Sequence, residues 1–114
     1  MGQWLFFVGA GLSILQIMDG ALLGLGLITL PLHAVSGGLL LLVCLISSWK
    51  TSGVERRMSL GNVGLVLVNG VLGIFLNQVI LLVHLFLALG VLANFSVMFG
   101  MERGAGGRGR GARS

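Results

Sequence analysis

Charge is what this 114-residue chain has least of: 7 Lys and Arg against 3 Asp and Glu, with charged residues only 9% of the total. A soluble domain carries roughly a quarter, which argues against an ordinary globular protein. Cysteine occurs once, as Cys44. A lone thiol forms no internal disulfide, and its flanks, Leu42-Val43 and Leu45, mark it for packing rather than redox work. No Lys or Arg precedes the first apolar run, and no clear small-residue cleavage site precedes the next. The first segment is therefore expected to stay in a membrane rather than act as a signal peptide. What is abundant is apolar surface, at 56% of residues, and such a Leu-, Val-, Ile- and Phe-rich chain is not disordered.

The sparse charges define the organisation. Residues 1–18 carry none, Asp19 stands alone, and residues 20–49 and 58–101 again carry none. A spanning helix takes about 20 apolar residues, so the 49 residues before Lys50, interrupted only by Asp19, and the 44 residues 58–101 each hold two. The expectation is an all-α membrane protein: two helical hairpins, four spans in an up-down bundle, over about residues 3–27, 31–49, 59–76 and 78–100. A single helix over 58–101 would run about 66 Å, over twice the hydrocarbon thickness. Pro31 suits the start of the second span, Ser59 would cap the third, and Asn77-Gln78 would turn the second hairpin. Residues 1–101 form the transmembrane domain, and the Gly/Arg-rich tail 102–114 is expected to be disordered.

Four spans put Lys50, Arg56 and Arg57 on the same side as Arg103, Arg108, Arg110 and Arg113, so all 7 basic residues share one face. The positive-inside rule makes that face cytoplasmic, with both termini there, in a multi-pass cytoplasmic-membrane protein. The tail then anchors the chain at anionic lipid headgroups. No nucleic-acid partner is expected.

The two histidines, His33 and His84, each lie inside an apolar run, L-P-L-H-A-V-S-G-G and L-L-V-H-L-F-L-A-L-G. An ionisable residue in a span is by default a functional candidate. They fall on the second and fourth helices, which run parallel in an up-down bundle. Trp49 follows His33, and Gly100 follows His84, by the same 16 residues, so both imidazoles lie about 24 Å from the cytoplasmic face. Two imidazoles at one depth can serve as metal ligands on opposite sides of one haem iron. Gly37 and Ala88 follow their histidines by one turn on the same face, and their small side chains leave room for the macrocycle. His33, His84, Gly37 and Ala88 are thus the expected cofactor-binding residues. Helix packing alone is the alternative for each histidine.

Helix one carries a small-polar stripe of Gly9, Ser13, Gln16 and Gly20 beside Asp19. Asp19 is either a proton relay or general base, or a hydrated group at the interface. Asn62 and Asn69 share a face of helix three, where interhelical hydrogen bonding is the expected role. Nothing suggests a Ser-His-Asp or Cys-His arrangement, and no catalytic residue is assigned.

The run N-G-V-L-G-I-F-L-N-Q-V-I-L-L-V-H-L-F-L-A-L-G-V-L-A-N, residues 69–94, resembles the helix pair of haem A synthases that carries a histidine. That family fuses two four-helix halves, each with His on its second and fourth helices, and this chain is about one half long. The resemblance covers about residues 25–98 and implies haem ligation by His33 and His84. The family's catalytic half has a Glu within a turn before the first His and an Arg after it; here Thr29, Leu30 and Ala34 stand there. The resemblance is therefore to the haem-b-holding half.

The function expected is haem b binding by two histidines, serving electron transfer or haem modification in the respiratory chain. A haem substrate, a quinone, and a homo-oligomer or larger membrane complex are the partners that fit. Two alternatives compete: a small non-catalytic subunit of a respiratory complex, and a four-span proton-coupled exporter using Asp19. Against the haem reading, every Lys and Arg lies at the far face, leaving the propionates to water, Asn, Gln, backbone donors or a partner chain.

Overall fold

The computed structural model describes the backbone of residues 2–75 and 77–113 and the side chains of residues 3–75 and 77–104. It contains four long helices: α1 (Gly2–Gly24), α2 (Leu30–Lys50), α3 (Gly53–Leu72) and α4 (Gln78–Arg113), with a short 3₁₀ turn, Gly73–Phe75, after α3. All four are long and apolar enough to cross a membrane.

The boundaries follow local chemistry. Helix α1 ends at Gly24, short of the expected residue 27, because Gly26 adopts φ +76°. The Leu27 N–H then reaches the Leu22 carbonyl (2.9 Å) and the Gly26 N–H the Leu23 carbonyl (3.0 Å), a Schellman stop. Pro31 lies in the first turn of α2, as expected. Helix α3 starts at Gly53, six residues ahead of expectation, where φ +62° reverses the chain after the two-residue link Thr51-Ser52. Ser59 is therefore not a cap. It lies inside α3, fully buried, with its hydroxyl on Met98 Sδ. The charged cluster joins the first turn instead: Glu55 favours the positive helix end, and Arg56 donates to the Ser48 and Trp49 carbonyls that end α2. Asn77 Oδ1 accepts the Ile80 N–H at 2.9 Å and caps α4. That helix continues to Arg113, so the backbone of residues 102–113 is helical where disorder was expected; Ser114 lies outside the described residues.

Helix α1 packs against α2 and α4, and α3 packs against the same two. The histidine-bearing helices α2 and α4 are therefore diagonal partners, without close backbone contact among the described residues. Phe6, Leu40, Cys44, Val91, Phe95 and Met98 form the apolar core. Helices α1 and α4 close tightly at Gly9, where any added side chain would overlap the Phe95 ring.

The polarity is inverted relative to a water-soluble bundle. Ser13, Asp19, Ser36, Ser47, Ser59 and Asn62 are buried, whereas Trp4, Leu25, Ile74 and Phe86 are about three-quarters exposed. In lipid the outward apolar side chains are solvated, and interior polar groups must bond across helices. The Asn94 side-chain amide donates to Asn62 Oδ1 at 2.9 Å, joining α3 to α4. A double-mutant cycle of Asn62→Leu and Asn94→Leu, read by unfolding in detergent, is expected to give a coupling of about 0.6 kcal/mol; zero coupling would contradict that bond.

Candidate functional site

One face of α1 supplies Ser13, Gln16 and Asp19 at helical spacing, and α2 answers with His33 and Ser36, also one turn apart. The His33 Nδ1–H donates to Asp19 Oδ1 at 2.5 Å. Both side chains are shielded, at 15% and 6% exposure, so Asp19 is neither a lone acid nor a hydrated interfacial one. Ser36 Oγ lies 2.5 Å from Asp19 Oδ2 and also against Gln16 Oε1 and the His33 carbonyl. A hydroxyl has one proton, so it serves these acceptors one at a time. Gly20 lets α1 approach closely: a Cβ there would stand 2.9 Å from His33 Cε1.

The far nitrogen of His33, Nε2, is held only loosely, with the Gln16 amide nitrogen 3.5 Å away, beyond normal hydrogen-bond length. On α4, His84 repeats the pattern with a neutral partner. Its Nδ1–H donates to the Asn69 backbone carbonyl at 3.0 Å. The two imidazoles meet between the diagonal helices with ring centroids 6.4 Å apart and planes at 67°.

A cavity of about 590 Å³ opens around them, within the about 300–1,000 Å³ range of small-molecule sites. His33, His84, Gly37 and Ala88 all line it, so the four residues singled out by sequence share one space. Leu40, Val66 and Val91 give it an apolar wall. At Gly37 the space left by the missing side chain is taken by the Gln16 amide, 2.9 Å from where a Cβ would sit. Asn69 Oδ1, also in the wall, is buried and without a hydrogen-bond partner.

Sequence reasoning isolated both histidines but not their anchors. Asp19, Ser36 and Gln16 converge on His33, and the signal available was the three-residue spacing within each pair, Gln16/Asp19 and His33/Ser36. Asp19, His33 and Ser36 do come together, yet not as a nucleophile with its base. The serine hydroxyl lies on the carboxylate and Gln16, not on His33 Nε2, so the histidine cannot take its proton.

No family model, curated protein or solved structure matches the chain.

Proposed function

We propose that this chain is a membrane haem b protein in which His33 and His84 ligate one iron through Nε2, resembling the haem-b-holding half of a haem A synthase. The observation that carries the reading is the pair of imidazoles facing one cavity from diagonal helices, each with Nδ1 already bonded to an acceptor. Metal-ligating histidines almost always donate their other N–H in this way, which fixes tautomer and ring orientation. The centroid separation of 6.4 Å also fits, because two metal–nitrogen bonds of about 2 Å each, plus the ring radii, amount to roughly that distance. Among the described residues no group of three or more His, Cys, Asp or Glu side chains assembles. Two histidine donors without a third would suit a group, such as haem, that carries further ligands of its own.

Haem bound there would supply one-electron chemistry at its iron. The chain's part is to hold both rings and to line the space with Leu40, Val66 and Val91. Were both histidines committed to the group, electron transfer would be favoured over oxygen activation, with a quinone or a partner complex as the exchange partner. The contact pairs Asp19–His33 with Gln16–Ser36, and Asn69–His84 with Asn62–Asn94, advance along one helix as they retreat along the next. That sense supports the up-down bundle, with the basic residues at the cytoplasmic face and the tail along lipid headgroups.

The test is a reduced-minus-oxidised absorption spectrum of the chain purified in mild detergent. Low-spin haem b bands are expected in the wild type and absent from both His33→Ala and His84→Ala. Low-spin bands that persist in either variant would refute two-histidine ligation. The second reading, a proton-coupled exporter, draws on the buried Asp19–His33 pair, since such pairs in spans mark proton paths. An Asp19→Asn variant with full transport would remove it.

A further inference from the structure

The two histidines are anchored by groups of different charge. His33 donates to a carboxylate at 2.5 Å, and that carboxylate is itself 5% exposed and braced by Ser36. Helix α1 closes on the ring at Gly20, where a Cβ would stand 2.9 Å from Cε1. His84 has a single neutral anchor, the Asn69 carbonyl at 3.0 Å. Its Cε1 edge lies beside Gly73, where α3 gives way to the 3₁₀ turn Gly73–Phe75.

A charge-assisted hydrogen bond is roughly twice as strong as a neutral one, and an anionic partner raises the basicity of the imidazole it holds. We propose that the pair is unequal: His33 is the fixed, strongly donating ligand and His84 the exchangeable one, at which a small neutral ligand such as carbon monoxide can enter. Asp19 is then the positioning residue that sets the inequality. The inference rests on the haem reading above, and it gives a six-coordinate site a way to open.

The sign for the redox couple follows from charge. The ferric form carries one more positive charge than the ferrous, so the Asp19 carboxylate stabilises the ferric form more, and its removal raises the midpoint potential. Loss of an outer-shell partner weakens metal holding by roughly 10- to 100-fold. If the ferric form bears that loss, Asp19→Asn shifts the potential upward by roughly 60 to 120 mV, at 59 mV per tenfold for one electron. Asparagine leaves an amide oxygen near the His33 Nδ1–H but removes the carboxylate charge, so the partner lost is the charge-assisted one.

The experiment is a redox titration of purified wild type and Asp19→Asn, with carbon monoxide added to the reduced forms of the wild type, His33→Ala and His84→Ala. Expected are a higher potential in Asp19→Asn and a His84→Ala variant that keeps its haem in a high-spin, carbon monoxide-binding form. The His33→Ala variant is expected to lose haem altogether. A coloured wild type with an unchanged or lower potential in Asp19→Asn overturns the inference while leaving the haem reading intact. Equal haem loss in the two alanine variants overturns it too, and does so even where Asp19→Asn fails to fold. A wild type that never takes up haem overturns both.

Discussion

Gly20→Val is expected to lower haem affinity at least roughly 10- to 100-fold, the usual scale for losing a group that orients a metal ligand. A Cβ at this position would stand 2.9 Å from Cε1 of His33, inside any ordinary carbon–carbon contact. The ring cannot yield into the cavity without losing the 2.5 Å bond from Nδ1 to Asp19, so the new side chain must break that bond or part α1 from α2. Valine sharpens the effect, because its branched Cβ has essentially one rotamer in a helix. Gly11→Val is the control, since a Cβ there meets nothing within 4 Å. Haem titration of the two variants reads the difference; equal affinities would show that the α1 face does not position His33.

Gly9→Val should act on stability instead. Its Cβ would overlap three atoms of the Phe95 ring, and that ring is fully buried among Phe6, Val91 and Met98. Overpacking a filled core costs about 1–3 kcal/mol. In lipid the weight of such a clash is large, because helix association depends on close van der Waals fit rather than on expelling water. Denaturation of Gly9→Val in detergent is expected to begin well before the wild type, with Gly11→Val unchanged. Wild-type resistance in Gly9→Val would mean that α1 and α4 are not packed through this glycine.

The four spans were legible because lipid leaves its mark as the absence of charge over residues 20–49 and 58–101. Their ends were less so. Gly20, Gly24 and Gly26 are alike in sequence, and only the backbone shows that Gly26 takes the left-handed turn that stops α1. The run E-R-R lies ahead of the third span expected from about residue 59, yet it belongs to α3, where Glu55 meets the positive helix end and Arg56 reaches the carbonyls ending α2. The histidine pair was visible from matched spacing to the charged ends, which are fixed by the membrane. Asp19 was not visible as its partner. Which face of α1 meets α2 depends on the turn between them, and no periodic signal sets that angle. The same holds for Asn94, whose bond to Asn62 spans 32 residues.

Polarity inside and apolarity outside is thus one design serving two needs. The bonds Asp19–His33 and Asn94–Asn62 hold helices that the hydrophobic effect does not drive together. Those near the cavity also occupy Nδ1 of each imidazole and set both rings at one space.

The central claim is that one haem sits between the two imidazoles, and haem content per chain tests it most directly. Chain expressed with ample haem, purified in mild detergent and assayed for haem against protein should contain one haem per chain, with the oxidised form low-spin and six-coordinate. A colourless protein under those conditions, or a stoichiometry unaffected by His33→Ala and His84→Ala together, would contradict the account and return both histidines to helix packing.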